Sequence, residues 1–475
     1  MLKIQKKLSV PFLILLSLPT SAMGLGLSIQ TATLSWILVT KYNLNIAEVG
    51  IVWSVGPLAT ILGTILVGAI SDRTWFWGGR RRPYIILGGI STSLALFALP
   101  NIGVIASSID IFTILGVAIT VSLFIDLSIN VSFNPSRSLI ADITPKGSIR
   151  AKSFLWMQTI SGSISVIGYD IGAYFGNYAL IYSGAIAILC FMLIPIFFIK
   201  ETKKIEEVKR DAKSFISFPE VLRIIRPLWG IAIYVTYSMS VSLLSLKVNL
   251  IIEGLLILLS LFFLIETIYK KERHFLAKNI FTYQKNLAAN ILNWFGVFSI
   301  LIFLVPYIKF RLPDLSDEVL GEINNWSLFI FNGVAIIVPV LILDKLVKKF
   351  DQIYVHMHSQ WMLILAFMLL YFFGNSSWEI WGIMIIAGFA WSSMITLPFS
   401  IYSQCADKDR MGFFTGIYNL SMIFPALIVS SRFGYLMENA QDKSIIYLIS
   451  AFLVLGSIIF WSQIRKRELK FKMRS

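Results

Sequence analysis

The stretch FIDLSINVSFNPSRSLIAD, residues 124–142, ends the fourth long apolar segment and brings polar and charged side chains into a hydrophobic span. With 3.6 residues per helical turn, Asp126, Asn130 and Arg137 lie on one face, provided that Pro135 kinks the helix without ending it. A charged side chain at the centre of a bilayer costs about 2.5–3.5 kcal/mol on insertion scales, so such residues face a cavity, pair or titrate. Asp126 is therefore the first functional candidate. The alternative is a structural carboxylate bonded to a neighbouring helix.

The whole chain is too apolar for a soluble globular protein. Its 475 residues are 57% hydrophobic and 14% charged, with a mean hydropathy of +0.77. Apolar runs of about 20 residues recur between short charged loops, which indicates an all-α polytopic membrane protein and not a barrel. Two cysteines do not support a disulfide framework. The net charge of +15 would suggest a nucleic-acid partner in a soluble protein, but here it predicts basic cytoplasmic loops and no nucleic acid.

The apolar segments group into two bundles of six helices with an extra helix pair between them. This predicts 14 crossings, or 12 if the extra pair is re-entrant. The predicted domains are an N-terminal six-helix bundle (1–199), a cytoplasmic linker (200–226), an inserted helix pair with a basic loop (227–285) and a C-terminal six-helix bundle with a basic cytoplasmic tail (286–475).

The positions of the basic residues predict the orientation. All but six of the 41 Lys and Arg residues lie at the termini or in alternate loops, which places both termini in the cytoplasm. We expect a monomer in the plasma (inner) membrane. The six on the opposite side are Lys41, Lys247, Lys309, Arg311, Arg432 and Lys443.

Carboxylates are the predicted proton carriers. His274, His356 and His358 are all expected in loops, so no buried imidazole would be available to carry a proton. Asp170 and Glu253 also interrupt apolar spans, but both are expected near the outer interface. Asp170 is the reserve proton site.

A second motif, GAISDRTWFWGGRRRPY at residues 68–84, follows the second helix. On charge alone it could be an anchor at the inner face of the membrane. It also resembles the signature between helices two and three of the major facilitator superfamily, with a weaker echo at 344–349. The resemblance implies a cytoplasmic gate whose acid and arginines pair in the outward-open state and separate on switching. The gate candidates are Gly68, Asp72, Arg73, Arg80, Arg81, Arg82 and Asp142.

Within that superfamily the chain resembles the sucrose and maltose proton symporters, a group that includes plant sucrose transporters and glycoside-pentoside-hexuronide:cation symporters. The register of Asp126, Pro135, Arg137 and Asp142 is similar to the fourth helix of that group. The resemblance covers most of both bundles but not residues 200–280, and the inserted pair is not typical. It implies a major facilitator fold and a proton-coupling role for Asp126 and Arg137.

A sugar offers hydroxyl groups and an apolar ring face, so its site needs amides beside an aromatic platform. Gln30 resembles a residue of the family's first helix that faces the sugar path. The full set of substrate-binding candidates is Gln30, Asn130, Asn290, Trp294, Trp391 and Asn419. An aromatic residue taken singly is more often part of the core or in contact with lipid.

These features predict a secondary active transporter for proton-coupled symport of a disaccharide or related glycoside by alternating access. The alternatives are a cation-coupled transporter of another small metabolite and a membrane solute sensor that does not transport. No nucleotide-binding loop or metal-ligand spacing occurs in the sequence, so we expect neither an enzyme nor a cofactor or metal. The expected coupling ion is H⁺.

Overall fold

A computed structural model describes residues 9–71, 75–108, 113–145, 148–199, 218–244, 246–269, 275–405 and 411–472. Within these ranges the regular secondary structure is helical, apart from one isolated bridge between Phe76 and Gly79. The prediction of an all-α chain is therefore confirmed.

The helices of the first half are α1 (Val10–Thr40), α2 (Ile46–Ser71), α3 (Arg82–Ala98), α4 (Ile102–Ser108), α5 (Ile114–Ile143), α6 (Ser148–Phe175) and α7 (Asn177–Phe198). A short helix, α8 (Phe218–Ile224), precedes the inserted pair, α9 (Trp229–Leu243) and α10 (Leu250–Tyr269). The remaining helices are α11 (Phe275–Arg311), α12 (Asp317–Val338), α13 (Asp344–Lys349), α14 (Gln352–Phe372), α15 (Ser377–Cys405), α16 (Met411–Ile428), α17 (Gly434–Asn439) and α18 (Ile445–Lys472). Two π-helical turns, Pro339–Leu343 and Val429–Phe433, join α12 to α13 and α16 to α17.

The lengths and compositions of these helices suit a membrane. Among the described residues, 11 helical segments are long and apolar enough to cross a bilayer, some of them running through a short helix or π turn. With α2, α6 and the 15-residue α9, they are consistent with the 14 predicted crossings. The chain is an integral membrane protein.

The chain forms two compact units. The first contains Met1–Glu207 and Leu312–Asn332, and the second contains Val208–Arg311 and Gly333–Ser475. In the first unit α1 packs on α6 and α7, while α5 packs on α2 and α3. In the second unit α11 packs on α18 and α16, and α9 packs on α10 and α16. The domain boundaries given above stay predictions.

The prediction for the histidines is wrong. Asp351 caps α14 by accepting a hydrogen bond from the Tyr354 amide at 2.8 Å, so this helix begins earlier than the apolar pattern suggests. His356 is completely buried in α14, and His358 is exposed on the same helix. His274 lies outside the described residues. Buried polar residues in the first turns of α14 lower its apolarity, which is why the sequence pattern resembles a loop there.

Candidate functional site

The helix that carries Asp126 is continuous. α5 runs from Ile114 to Ile143 through Pro135, so the face predicted from the sequence exists. Along this face Asn130 donates a hydrogen bond to the Asp126 carbonyl at 2.8 Å. Asn130 follows Asp126 by four residues and Arg137 follows Asn130 by seven, spacings that the 3.6-residue period places on one face.

The carboxylate of Asp126 points into the first unit. Asp126 is 8% exposed, and Gln30 Nε2 on α1 donates a hydrogen bond to its Oδ2 at 2.9 Å. Among the described residues no basic side chain forms an ion pair with Asp126. A buried carboxylate without a cationic partner is the arrangement in which gain and loss of a proton most alter the electrostatic energy.

Two glycines of α2 make room for the polar face of α5. A Cβ atom added at Gly56 would lie 2.9 Å from Asp126 Oδ2, and one added at Gly63 would lie 2.7 Å from the Asn130 Cβ. Between them, Thr60 accepts a hydrogen bond from Asn130 Nδ2 at 3.3 Å. Helices α1, α2 and α5 thus surround Asp126. Gln30 of α1 donates a hydrogen bond, Gly56 of α2 leaves room for the carboxylate, and Asn130 of α5 extends the polar face.

Arg137 is separate from this cluster. Its guanidinium carbon lies 4.1 Å from the centroid of the Phe133 ring, one turn earlier on α5. Eleven residues of helix span about 16 Å, so Arg137 does not contact Asp126 directly. Its side chain is exposed on this unit and forms no ion pair with another described residue.

The C-terminal end of α5 is linked by ion pairs to the arginine-rich loop. Asp142 forms ion pairs with Arg80 at 2.8 Å and with Arg81 at 3.5 Å. Of the other gate candidates, Arg82 begins α3 and Gly68 lies in α2. Asp72 and Arg73 lie outside the described residues.

A second group of candidates lies in the second unit. Asn290 on α11 donates a hydrogen bond to Ser421 Oγ on α16 at 2.7 Å. One turn later, Trp294 meets Trp391 of α15 edge to face, with ring centroids 5.5 Å apart. Asn419 is exposed on α16 and forms no hydrogen bond with another described residue, so it does not join the Asn290 pair.

The sequence prediction missed the two neighbours of Asn290 on its helix face. Asn286, Asn290 and Asn293 are completely buried, and within the described part of the chain none of their amide oxygens has a hydrogen-bond partner. Asn293 lies 3.5 Å from His356 Nε2, whose Nδ1 lies 2.8 Å from Ser393 Oγ. The spacing of the three asparagines at a helical period is a signal that could have been used.

The prediction for Glu253 is also incomplete. The sequence predicts a position near the outer interface, and the structure adds that this carboxylate is 2.9 Å from Arg432, with the two side chains 14% and 7% exposed. Both residues interrupt apolar spans, so the sequence shows an acid and a base that each need a partner. It does not show that α10 and the π turn after α16 are neighbours.

Several known proteins resemble this chain in sequence or fold. A family model described as Major Facilitator Superfamily matches residues 16–431. Sucrose transport protein SUC4 of Arabidopsis thaliana is 28% identical over 180 residues, which cover 35% of this chain and 34% of that protein. General alpha-glucoside permease of Schizosaccharomyces pombe is 27% identical over 168 residues, covering 34% and 30%. The chain therefore spans about a third of the length of the curated relatives that it matches.

Solved structures share the fold over nearly the whole chain. The nucleoside transporter NupG superimposes with a TM-score of 0.61 at 13% identity, covering 95% of this chain and 98% of that one. The xylose transporter XylE from E. coli gives a TM-score of 0.61 at 11% identity, covering 94% of each chain. At these identities the likeness supports the fold and nothing finer, and the predicted major facilitator fold is confirmed. Together with the family model, these matches show that the chain belongs to the Major Facilitator Superfamily.

Proposed function

We propose that this protein is a secondary active transporter that moves a disaccharide or related glycoside together with a proton by alternating access. The observation that carries the proposal is the buried Asp126 carboxylate, which receives a hydrogen bond from Gln30 and has no ion-pair partner among the described residues. A carboxylate in such surroundings binds a proton when its site is sealed and loses it when water or a cation approaches. That cycle is what proton coupling requires.

The sugar part of the proposal rests on the relatives and on the chemistry of the second unit. The curated relatives are named as sucrose transport proteins and an alpha-glucoside permease. Asn286, Asn290 and Asn293 of α11 have acceptor oxygens without partners among the described residues, and the Trp294–Trp391 pair provides an aromatic surface. Hydroxyl groups need acceptors, and the apolar face of a sugar ring packs on an aromatic ring.

The ion pairs of Asp142 with Arg80 and Arg81 support a gate at the inner face in this proposal. Breaking them during the cycle would release α5 from the loop between α2 and α3. The distribution of basic residues supports cytoplasmic termini in this proposal, which places the protein in the inner membrane as a monomer.

Two other functions remain distinct hypotheses. A cation-coupled transporter of another small metabolite would suit the fold equally well, because structural neighbours include proteins named as nucleoside, peptide and xylose transporters. A non-transporting sensor would bind solute without net transfer.

Flux into proteoliposomes distinguishes these functions. Vesicles with an alkaline interior and no sodium should accumulate labelled sucrose, maltose or a methyl glucoside above equilibrium, and a protonophore should abolish the accumulation. Accumulation that requires sodium would contradict proton coupling. Saturable binding without any flux would contradict transport and support the sensor.

A further inference from the structure

The inserted helix pair turns a polar stripe toward the protein. On α10 the buried side chains Ser260 and Thr267 lie seven and fourteen residues after Glu253, so all three share one helix face. On α9, Ser238 is completely buried. Polar side chains of membrane helices are stabilised when they meet other polar groups, which directs this face toward a helix and not toward lipid.

Glu253 of this stripe and Ser238 of α9 contact the π turn Val429–Phe433. Arg432 Nε lies 2.9 Å from Glu253 Oε1 and donates a hydrogen bond to Ser238 Oγ at 3.1 Å, while Nη2 donates to the Ser238 carbonyl at 3.1 Å. Ser238 Oγ is also hydrogen bonded to Ser431 Oγ. Two consecutive residues of the π turn are thus held by one serine of the insertion.

The backbone hydrogen bonding of α16 is weakened between Ser421 and the π turn that contacts the inserted pair. Pro425 lies inside α16 and cannot donate the hydrogen bond that would reach the Ser421 carbonyl. Four residues later the chain enters the π turn, whose wider hydrogen-bond pattern is uncommon and recurs at functional sites. The backbone of α16 alone therefore holds the turn that contains Asn419 and Ser421 only weakly in orientation relative to the π turn.

We propose that Glu253 and Ser238 of the inserted pair are positioning residues for substrate binding. They bind Arg432 and so fix the position of the π turn. The position of the π turn in turn sets the orientation of α16, which carries Ser421 and Asn419. This inference rests on the proposed function, because Ser421 is the partner of Asn290 in the candidate substrate site. Without the insertion, Arg432 would be a guanidinium without a counter-charge in an apolar span.

The chain supplies a matched control for a test of Glu253. Glu266 lies on the same helix and pairs with Arg226 at 2.8 Å, but its side chain is 26% exposed and that of Arg226 is 38% exposed. Glu266 lies thirteen residues after Glu253, which is about 20 Å along the helix. Glu253→Gln and Glu266→Gln therefore make the same chemical change on one helix, and only the first removes the charge that faces Arg432.

The experiment measures sugar uptake in proteoliposomes, normalised to folded protein. We expect Glu253→Gln to raise the KM about five-fold or more with little change in maximal rate, because the π turn loses one of the contacts that position it. Glu266→Gln should leave the KM unchanged. Glu253→Asp should restore most of the affinity, and Glu253→Gln/Arg432→Gln should bind sugar better than Glu253→Gln, because no unpaired guanidinium remains.

A merely structural role gives a different pattern. Equal effects of Glu253→Gln and Glu266→Gln on KM, or a double variant in which the two changes simply add, would overturn the inference. Melting temperatures measured in detergent separate loss of fold from loss of positioning. If wild-type protein transports no sugar, the proposed function fails. If wild-type uptake is intact and Glu253→Gln leaves KM unchanged, only the positioning role fails.

Discussion

Asp126 keeps its carboxylate inside the first unit through contacts from two other helices. Gln30 of α1 donates the hydrogen bond, and α2 approaches closely because Gly56 has no side chain. Asn130 extends the polar face by one turn and bonds to Thr60 of α2. A change in side-chain volume or polarity at Gln30, Gly56 or Asn130 should therefore alter the surroundings of the Asp126 carboxylate.

Gly56→Ala tests this close packing. The added methyl group would lie 2.9 Å from Asp126 Oδ2, so the carboxylate must shift from the position in which it accepts the Gln30 hydrogen bond. Overpacking costs about 1–3 kcal/mol, so we expect proton-driven uptake to fall by about ten-fold. Gly382→Ala is the matched control, because nothing lies within 4 Å of a Cβ at that position. Equal uptake by the two variants would contradict the assigned packing.

Single residues could be predicted from the sequence where a charge interrupts an apolar span. Asp126 stands out because its cost in lipid demands an explanation, and its helix face follows from the helical period. The space beside Gly56 and the pairing of Glu253 with Arg432 depend on which helices are neighbours. The local sequence pattern carries no information about helix neighbours. His356 was placed in a loop because polar residues that are satisfied inside a bundle resemble exposed ones in the sequence.

Among the helices, α5 connects the buried acid to the arginine-rich loop of the first unit. Its continuation through Pro135 places Asp142 beside the loop that carries Arg80 and Arg81. The length of this helix could be predicted from apolar content, whereas the two π turns could not. A π turn depends on packing around one inserted residue and has no sequence period.

Asp142→Asn tests the proposed gate. The change removes the carboxylate that pairs with Arg80 and Arg81 at this position, and we expect maximal uptake to fall by about two- to ten-fold. The melting temperature should change little, because half-exposed ion pairs contribute about 0–1 kcal/mol. Asp351→Asn is a suitable control, since Asp351 pairs with Arg465 at 3.5 Å and asparagine also caps helices well. Unchanged uptake by Asp142→Asn would remove this residue from the gate.

At the scale of the whole molecule, the membrane class and the all-α fold follow from the length of the apolar runs, because a bilayer fixes how long a spanning helix must be. The family follows from a match over residues 16–431. The identity of the solute depends on a few side chains and on helices distant in sequence. It therefore needs a functional measurement.

The central claim is that Asp126 couples proton movement to sugar movement. The most direct measurement compares concentrative uptake with sugar exchange in proteoliposomes that contain Asp126→Asn, with Asp170→Asn as the control. Asparagine resembles the protonated acid but cannot release a proton, so we expect proton-driven accumulation to disappear while exchange of labelled for unlabelled sugar persists. Asp170→Asn should accumulate sugar normally. Full accumulation by Asp126→Asn would contradict the account.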